Sequence, residues 1–311
     1  MHVLQLVTSE SSFFEKQVEA LETRGVTCTV VSLPSREGTT RSPRSYASLY
    51  RRVLRSATDD VDVVHVNYGL LGPIALAQPR RPVVLTLWGS EIMGAAGWLD
   101  TVSAWSARRS DAVVAPSPAV SDRLDCDHHL VPFGVDTSLF RPIPRAEARE
   151  QLGWDPDERV VLFPYPPSRT VKNYPLAESV VEDVPGDPVL KTISDVPYED
   201  VPLFMNASDA VLVTSRRESG PMVVKEAAAC NVPVVSTDVG FVDEVLDGVE
   251  HSYVCSSRTE LVEGTAAALD AGRANGRERL ESLGLDRMGE RLLHVYRDAL
   301  GQPTEVADVP A

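Results

Sequence analysis

Residues 210–238, AVLVTSRRESGPMVVKEAAACNVPVVSTD, contain the pattern from which the fold class of this chain can be predicted. The apolar run at the start predicts a buried strand that ends at Thr214. A short polar turn follows, and Pro221 is expected at the first position of a helix, where a missing N–H is tolerated. A second apolar run around Val234 predicts another buried strand. This succession is typical of a parallel sheet covered by helices.

The same alternation of short apolar runs and helical patterns extends along the chain in both directions. It predicts a doubly wound α/β domain in each half. In the first half we predict strands at residues 2–7, 27–33, 61–66, 83–87, 112–115 and 129–132. In the second half we predict strands at residues 159–164, 189–193, 210–214 and 232–236.

The chain of 311 residues is long enough for two domains. We place an N-terminal Rossmann-like domain at residues 1–140 and a C-terminal one at 141–300, because the Pro-rich stretch 133–158 reads as a junction. The last helix, about 286–299, is expected to pack back toward the N-terminal domain, and residues 301–311 are expected to be a flexible tail. Two open α/β domains place a ligand in the cleft between them, at the carboxyl ends of the strands.

Composition and charge exclude some classes of function. The formal net charge of -15 repels nucleic-acid phosphates, so the chain is not expected to bind nucleic acid. Its acid-rich, lysine-poor composition is typical of proteins from a halophilic organism with a high-salt cytosol. The alternative explanation is a GC-rich genome, in which arginine codons are preferred. The four cysteines show no CxxC spacing and are read as reduced thiols of a cytoplasmic protein. No apolar run approaches the roughly 20 residues of a membrane span, and no signal peptide is predicted.

Two glutamates flank the start of the helix predicted at 221–230. Glu218 lies in the turn and Glu226 in the second helical turn. The amides of residues 220–223 are expected to point out of the helix N-terminus, which favours an anion such as a diphosphate. A carboxylate accepts two hydrogen bonds from vicinal hydroxyls, so one glutamate can hold a ribose and the other a hexose. The alternative is that both are ordinary surface or capping acids.

Several other features resemble metal sites or an acceptor site, but most of them lack the required pattern. Asp60-Val-Asp62 has the spacing of a metal-binding DxD motif, but it precedes an apolar strand instead of following one. Cys126, His128 and His129 lack a second ligand pair at a suitable spacing. We therefore predict no metal. His65 near the end of a strand is either a buried structural histidine or part of an acceptor site.

A basic segment interrupts this acidic chain at residues 36–55. It holds six arginines and one acid, with Tyr46, Leu49, Tyr50, Val53 and Leu54 interleaved at near-helical spacing. A basic amphipathic helix is typical of contact with a membrane surface or an anionic acceptor. We therefore predict an anionic membrane surface as a partner of residues 41–55, with Arg51 and Arg52 central. An ordinary helix whose arginines pair with the acidic surface is the alternative.

Nearly the whole chain resembles the retaining GT-B glycosyltransferases of family 4, also called glycosyltransferase group 1. The region 210–238 resembles their donor-site motif, and the resemblance extends to the motifs VHVNYGLLGPIALA (64–77), TLWGSEI (86–92), SPAVSDRL (117–124), VPFGVDTSLFRP (131–142) and VPYEDVPLFMNASDAVLVTS (196–215). It implies two Rossmann-like domains, a UDP- or GDP-linked sugar as co-substrate, and no other cofactor.

The resemblance implies a role for each matching residue. Glu226 would bind the nucleotide ribose and Glu218 would contact the donor sugar. Lys172 would bind the diphosphate, with Arg169 as a further catalytic cation. The other donor-binding positions are Trp88, Gly89, Ser90, Glu91, Val196, Pro197, Gly220, Pro221, Met222 and Val223. The acceptor-side candidates are Ser11, Ser12, His65, Tyr68, Arg51 and Arg52.

The chain departs from the family pattern at several positions. The first loop reads Thr-Ser-Glu-Ser-Ser (8–12) where relatives often have glycines, and Trp88 replaces a frequent histidine. Glu91 stands where an aspartate is usual. The usual arginine lies five residues before the lysine, where this chain has Pro167, so Arg169 is the nearer candidate.

The sequence therefore predicts a retaining hexosyltransferase that uses a nucleotide sugar and a glycan or polyprenyl-linked acceptor. It would act in the cytoplasm or at the inner face of the cell membrane. The alternatives are a GT-B sugar-nucleotide epimerase and a catalytically inactive binding or scaffold subunit.

Overall fold

The computed structural model describes residues 1–33, 42–94, 97–218 and 220–302, and these form two compact units. The first unit comprises Met1–Pro132 and the chain from Leu285 onward, and the second comprises Phe133–Gly284. The domain boundary that we placed after residue 140 is therefore too late. Residues 133–140 join the second unit because the Val135 amide donates to Leu283 O at 2.9 Å and Phe140 is fully buried in its core.

The first unit contains a six-stranded parallel sheet in the order β2-β1-β3-β4-β5-β6. Its strands are β1 His2–Val7, β2 Thr27–Ser32, β3 Val63–Asn67, β4 Val83–Thr86, β5 Ala112–Ala115 and β6 His129–Leu130. Its helices are α1 Ser12–Glu22, α2 Pro43–Ser56, α3 Gly72–Ala77, α4 Gly97–Ala107, α5 Pro118–Ser121 and, from the end of the chain, α13 Leu285–Ala299.

The second unit contains a five-stranded parallel sheet in the order β11-β10-β9-β7-β8. Its strands are β7 Val160–Phe163, β8 Val189–Thr192, β9 Ala210–Val213, β10 Val234–Thr237 and β11 Tyr253–Cys255. Its helices are α6 Arg145–Leu152, α7 Tyr174–Glu182, α8 Val201–Ala207, α9 Met222–Ala229, α10 Val242–Leu246, α11 Arg258–Ala271 and α12 Gly276–Arg279.

The predicted α/β class, with two Rossmann-like doubly wound domains, is confirmed. Central strands such as β3, β7 and β9 are buried on both faces, which explains why they read as continuous runs of valine and leucine. Strand β11 was not predicted. It is three residues long and two of them are only partly buried, so it carries too little apolar pattern to detect.

Helix α13 packs against α1 within the first unit. Its buried residues recur at helical spacing and include Met288, Leu292, Val295 and Tyr296. Gly289 permits the close approach, because a Cβ built there would lie 2.8 Å from Ala20 O.

None of the helices in the described residues has the length and apolar character needed to cross a membrane. The predicted tail falls almost entirely on residues 303–311, which lie outside the described part of the chain.

Candidate functional site

Glu218 lies at the carboxyl edge of the second sheet, at the centre of a set of hydrogen-bond donors. Its Oε1 accepts bonds from Ser215 Oγ at 2.7 Å and from the Tyr165 hydroxyl at 3.3 Å, and it forms an ion pair with Lys172 Nζ. These residues come from the loops after β7 and β9. They meet because β7 and β9 are neighbours in the sheet, although Lys172 precedes Glu218 by 46 residues.

The Lys172 side chain is held in place by its own backbone. Thr170–Lys172 form a single 3₁₀ turn. Thr214 Oγ1 donates to Lys172 O at 3.0 Å, and the Arg216 amide donates to Val171 O at 2.9 Å. The loop after β7 is thereby fastened to the end of β9, which fixes the backbone from which the Lys172 side chain extends to Glu218.

The electrostatic environment of Lys172 contains opposing effects. Burial lowers its pKa, while the Glu218 carboxylate acts in the opposite direction by favouring the ammonium form. The ammonium also lies 4.1 Å from the centre of the Tyr165 ring, within cation–π range. Burial and the Glu218 charge raise the pKa of Tyr165 well above its usual value, so the phenol stays protonated and remains a donor.

Arg169 is exposed and does not share the Glu218 carboxylate in the way that Lys172 does. Its guanidinium carbon lies 5.8 Å from the centre of the Tyr165 ring. Its positive charge is close enough to contribute to lowering the Lys172 pKa. The structure thus places both predicted cations beside Tyr165. Lys172 is buried there, and Arg169 is exposed to solvent.

Glu226 is buried on α9 and is paired separately. The Tyr198 hydroxyl donates to Glu226 Oε1 at 3.0 Å. Burial raises the Glu226 pKa to about 7, and the Tyr198 bond offsets only part of this effect. The Tyr198 ring packs edge-on against Phe140, with 5.4 Å between ring centres. The two glutamates therefore have different partners and different environments.

The N-terminus of α9 offers fewer amides than the sequence pattern led us to expect. The helix begins at Met222, and Pro221 is its N-cap and has no N–H. The Met222 amide donates to Gly220 O at 2.7 Å. Among the described residues, the amides of Gly220 and Val223 make no such turn contact. The prediction of four available amides was therefore wrong.

The remaining donor-side candidates of the second unit lie before α8 and at the start of α9. Val196 is partly buried against the core and Pro197 is exposed, and both precede the 3₁₀ turn that carries Tyr198. Gly220 has Phe133 and Phe241 beside it, since a Cβ there would lie 3.4 and 3.7 Å from their rings.

In the first unit, Glu91 braces two loops. Its side chain is fully buried, and Oε1 accepts bonds from the Trp88 amide at 2.8 Å and the Gly69 amide at 3.3 Å. Burial raises its pKa, and these amide bonds act against the rise. Gly89, with a φ of 99°, makes the sharp turn that this arrangement needs. Donor binding by Glu91 stays a prediction, and in the structure its buried carboxylate holds two backbone amides.

Two other candidates of the first unit lie close together. The Tyr68 hydroxyl and Ser90 Oγ are 3.4 Å apart. Tyr68 has a φ of 135°, a backbone conformation that side-chain-bearing residues rarely adopt and that costs roughly 1–3 kcal/mol. Trp88 packs edge-on against Phe13, with 5.4 Å between ring centres.

His65 is a buried structural residue. Its Nδ1 lies 2.6 Å from the Tyr296 hydroxyl on α13 and its Nε2 lies 2.7 Å from Thr86 Oγ1. The side chain has no exposed surface, and burial lowers its pKa to about 3. Its assignment to the acceptor side was therefore wrong, and the structural alternative is correct.

The acceptor-side candidates in the loop at residues 8–12 and on the basic helix α2 also have structural contacts. Ser11 is the N-cap of α1, where its Oγ accepts a bond from the Phe14 amide at 3.3 Å, and Ser12 is the first residue of that helix. On α2, Arg52 donates to Ser32 O at 2.9 Å, whereas Arg51 is exposed. Arg36, Glu37 and Arg41 lie outside the described residues.

The apolar face of α2 packs onto its own unit. Leu49 and Val53 are fully buried, and the Tyr50 hydroxyl donates to Ala77 O at 3.1 Å. Leu49 and Val53 are therefore not available for insertion into a lipid surface, whereas Leu54 is 44% exposed.

The side chains that we considered as possible metal ligands make hydrogen bonds within the protein. Asp60 Oδ2 lies 3.0 Å from His2 Nδ1, and His128 Nε2 lies 2.6 Å from Ser121 Oγ. In the part of the chain that the structure describes, no three His, Cys, Asp or Glu side chains are grouped as metal ligands would be.

Sequence reasoning missed Tyr165, Ser215, Tyr198 and Lys225. The first three follow strands β7, β9 and β8, so their position at the carboxyl edge was the available signal. Lys225 carried no such signal. It is fully buried, donates from Nζ to Phe133 O at 2.8 Å, and thereby fixes the segment beside Gly220.

Comparisons with known proteins agree with this arrangement. Residues 2–139 match the family model "Glycosyltransferase Family 4" and residues 187–283 match "Glycosyl transferases group 1". The chain is 26% identical to D-inositol 3-phosphate glycosyltransferase 1 of Catenulispora acidiphila, over 83% of this chain and 77% of that protein. It is 26% identical to the lipopolysaccharide core biosynthesis mannosyltransferase LpsB of Rhizobium meliloti, over 66% and 69% of the two chains.

A solved structure shares the fold. HepE from Anabaena, crystallised in complex with UDP-glucose, superimposes with a TM-score of 0.74 at 16% identity, over 96% of this chain and all of that one. The two family models, matched one after the other along a chain with this fold, show that the protein belongs to the family 4, group 1 type of GT-B glycosyltransferases.

Proposed function

We propose that this glycosyltransferase moves a hexose, with retention of anomeric configuration and without a metal, from a UDP- or GDP-linked sugar to a hydroxyl of a glycan or lipid-linked acceptor. The observation that carries the proposal is the separation of the two glutamates. Glu218 lies with Lys172, Ser215 and Tyr165, and Glu226 lies with Tyr198.

Glu218 is suited to position the sugar. All three of its bonds within the second unit use Oε1, so Oε2 carries none among the described residues. A fixed carboxylate with one oxygen available can accept a hydrogen bond from a sugar hydroxyl. Because Lys172 and Ser215 hold the other oxygen, the sugar would be bound in a single orientation.

Glu226 is suited to hold the nucleotide. When ionised, its carboxylate can accept hydrogen bonds from both ribose hydroxyls. The Tyr198 hydroxyl restrains Glu226 Oε1 at 3.0 Å, and its ring stands at the start of the segment where the base is expected to lie.

Lys172 is suited to stabilise the leaving group. As the bond between the anomeric carbon and the diphosphate oxygen breaks, negative charge grows on the diphosphate, and a preorganised ammonium stabilises that charge. Arg169 and the amides of Gly220 and Val223 add further positive charge or donors. The acceptor hydroxyl attacks from the side that the diphosphate leaves, and its proton passes to the departing phosphate oxygen.

The comparisons support the classes of donor and acceptor. HepE was crystallised in complex with UDP-glucose, and the relatives are named as a D-inositol 3-phosphate glycosyltransferase and as a mannosyltransferase of lipopolysaccharide core biosynthesis. These are properties of those proteins, and they motivate testing UDP- and GDP-sugars with glycan and lipid-linked acceptors.

A lipid-linked acceptor would bring the protein to an anionic surface. On α2 the exposed Arg44, Arg51 and Arg55 share one side of the helix. Because Leu49 and Val53 of α2 are buried, we propose that these arginines make the contact. Flotation with vesicles containing phosphatidylglycerol should recover the protein, and Arg51→Glu/Arg55→Glu should abolish recovery. The control Arg123→Glu/Arg141→Glu makes the same charge change elsewhere and should still float.

The function is tested by donor binding and turnover. A thermal-shift panel of UDP, GDP, ADP and their sugars identifies the base, because a ligand that binds only the folded state raises its apparent stability. Glu226→Gln should weaken binding of the nucleotide alone. Glu218→Ala should leave nucleotide binding intact and remove sugar transfer or donor hydrolysis, whereas the exposed Glu263→Gln should change neither. Turnover that survives Glu218→Ala unchanged contradicts the proposal, and a donor whose sugar is inverted at C2 without transfer supports an epimerase instead.

A further inference from the structure

A cavity of about 550 Å³ opens at the edge of the second sheet opposite to Glu218 and Glu226. Asp209 lies directly before β9, and Asn231 lies between α9 and β10, so the cavity adjoins the amino ends of the strands. Its walls include three residues that carry charge, Arg145, Asp209 and Arg273. The position separates it from the candidate nucleotide-sugar site at the carboxyl edge.

Positive charge is concentrated at this cavity. Arg145 forms an ion pair with Asp209 Oδ1, and Arg149 Nη2 donates to Asp209 Oδ2 at 2.8 Å. Arg273 is a third guanidinium beside the same carboxylate. Among these four groups, one carboxylate balances one of three positive charges. Such an excess in a protein of net charge -15 favours binding of an anion.

The arginines differ in how firmly they are held. Arg149 is buried and also donates to Ala207 O at 2.9 Å, so it is a structural anchor. Arg273 Nη1 donates to Ser208 O at 3.1 Å and Nη2 donates to Asn206 O, which fixes the plane of the guanidinium at the cavity wall. Burial and the neighbouring charges of Arg145 and Arg149 lower the Arg273 pKa, whereas Asp209 opposes that shift. An added anion would relieve this repulsion between guanidiniums.

Arg145 is the group that a ligand can reach. Its side chain is 49% exposed, and its ion pair with Asp209 is made through Nη1. The fork of a guanidinium matches the oxygens of a phosphate group with two parallel hydrogen bonds. The backbone at Gly272 leaves open space, since a Cβ built there would meet no atom within 4 Å.

The size and the walls of the cavity indicate a ligand larger than a bare ion. A volume of this order falls within the range of small-molecule sites, which is roughly 300–1,000 Å³. Pro142, Ile143 and Pro144 form an apolar wall beside the arginines. We propose that this cavity is a second ligand site of the protein, and that it binds a small phosphate monoester with its phosphate on Arg145 and Arg273.

The test is isothermal titration with three probes: inorganic phosphate, glucose 6-phosphate and AMP. At least one ester should bind with a stoichiometry of one and more tightly than inorganic phosphate. Arg145→Gln should weaken that binding roughly tenfold or more, as expected for a lost charge-assisted hydrogen-bond pair. Arg258→Gln, which removes the same charge from a similarly exposed arginine at the start of α11, directly after β11 at the carboxyl edge of the sheet, should leave it unchanged.

The double variant Lys172→Met/Glu218→Leu separates this site from the proposed nucleotide-sugar site, because it removes the ion pair at the carboxyl edge without leaving either charge unpaired. Ester binding should survive this double variant and should also survive saturation with UDP. Arg273→Gln gives a second variant, and if it does not fold, the half-exposed Arg145 decides the outcome. Binding that is lost in the double variant but kept in Arg145→Gln overturns the proposal. So does the absence of saturable binding, and inorganic phosphate that binds as tightly as both esters overturns the assignment to a monoester.

Discussion

Gly240 contacts the turn that carries Glu218. A Cβ built on Gly240 would lie 3.0 Å from Glu218 O and 3.3 Å from Glu218 Cβ. The glycine follows β10, whereas Glu218 follows β9, and these strands are neighbours in the sheet. The absence of a side chain at residue 240 is therefore part of how the Glu218 carboxylate is positioned.

Gly240→Ala should reduce turnover more than it reduces stability. Gly240 has a φ of 66°, so alanine there costs roughly 1–2 kcal/mol of strain. Its methyl group would also displace the Glu218 turn, and a small misplacement of a catalytic group can lower kcat roughly tenfold or more. Gly153→Ala is the matched control, because Gly153 has a φ of 65° and open space around it. Equal losses of kcat in both variants would contradict this role of Gly240.

Lys172 and Glu218 should show strong coupling in a double-mutant cycle. Removing one partner of a buried ion pair leaves an uncompensated charge, and such changes cost about 3–5 kcal/mol. We expect Lys172→Met to destabilise the protein strongly in urea unfolding. The double variant Lys172→Met/Glu218→Leu should recover much of that loss while remaining inactive. If the free energies of the two single variants simply add, the pair is not coupled as the structure indicates.

Glu226 should make the protein less stable as pH rises from about 4.5 to about 7. Its pKa is raised to about 7 in the folded state, so the folded protein keeps a proton there that the unfolded chain has lost. The unfolded state then binds fewer protons, and the free energy of unfolding falls with pH by roughly 3 kcal/mol over this window. Urea unfolding of wild type and Glu226→Gln at several pH values measures the effect. A difference between them that does not change with pH would contradict it.

His65 should act in the opposite direction at lower pH. Burial lowers its pKa to about 3, so the folded state keeps the imidazole neutral while the unfolded chain binds a proton below about pH 6.5. Stability is therefore lost as pH falls, by about 2 kcal/mol between pH 6.5 and pH 5. Comparison of wild type with His65→Gln isolates this contribution, and identical acid sensitivity in both would contradict it.

Tyr296→Phe should destabilise the protein at every pH by about 1–3 kcal/mol, because it leaves His65 Nδ1 unpaired.

Local patterns were sufficient for the fold and for part of the candidate site. Strands such as β7 and β9 are buried on both faces, so their apolar runs were readable without any tertiary information. Glu218 and Glu226 were identifiable because both lie within one strand–turn–helix segment. Glu91 and His65 were assigned by position in a motif, and only burial distinguishes a residue that braces a loop or fills a core from one that meets a ligand.

The sequence by itself determined that this chain alternates strands and helices, that it forms two α/β domains, and that two glutamates flank one helix N-terminus. Those features depend on the periodicity of neighbouring residues. The tertiary structure alone decided that Lys172, Ser215 and Tyr165 share the Glu218 carboxylate, that Tyr198 restrains Glu226, and that Gly240 supports the Glu218 turn. The reason is that strand order in the sheet, β11-β10-β9-β7-β8, differs from order in the chain, so contacts between loops at its carboxyl edge arise only when the strands pack.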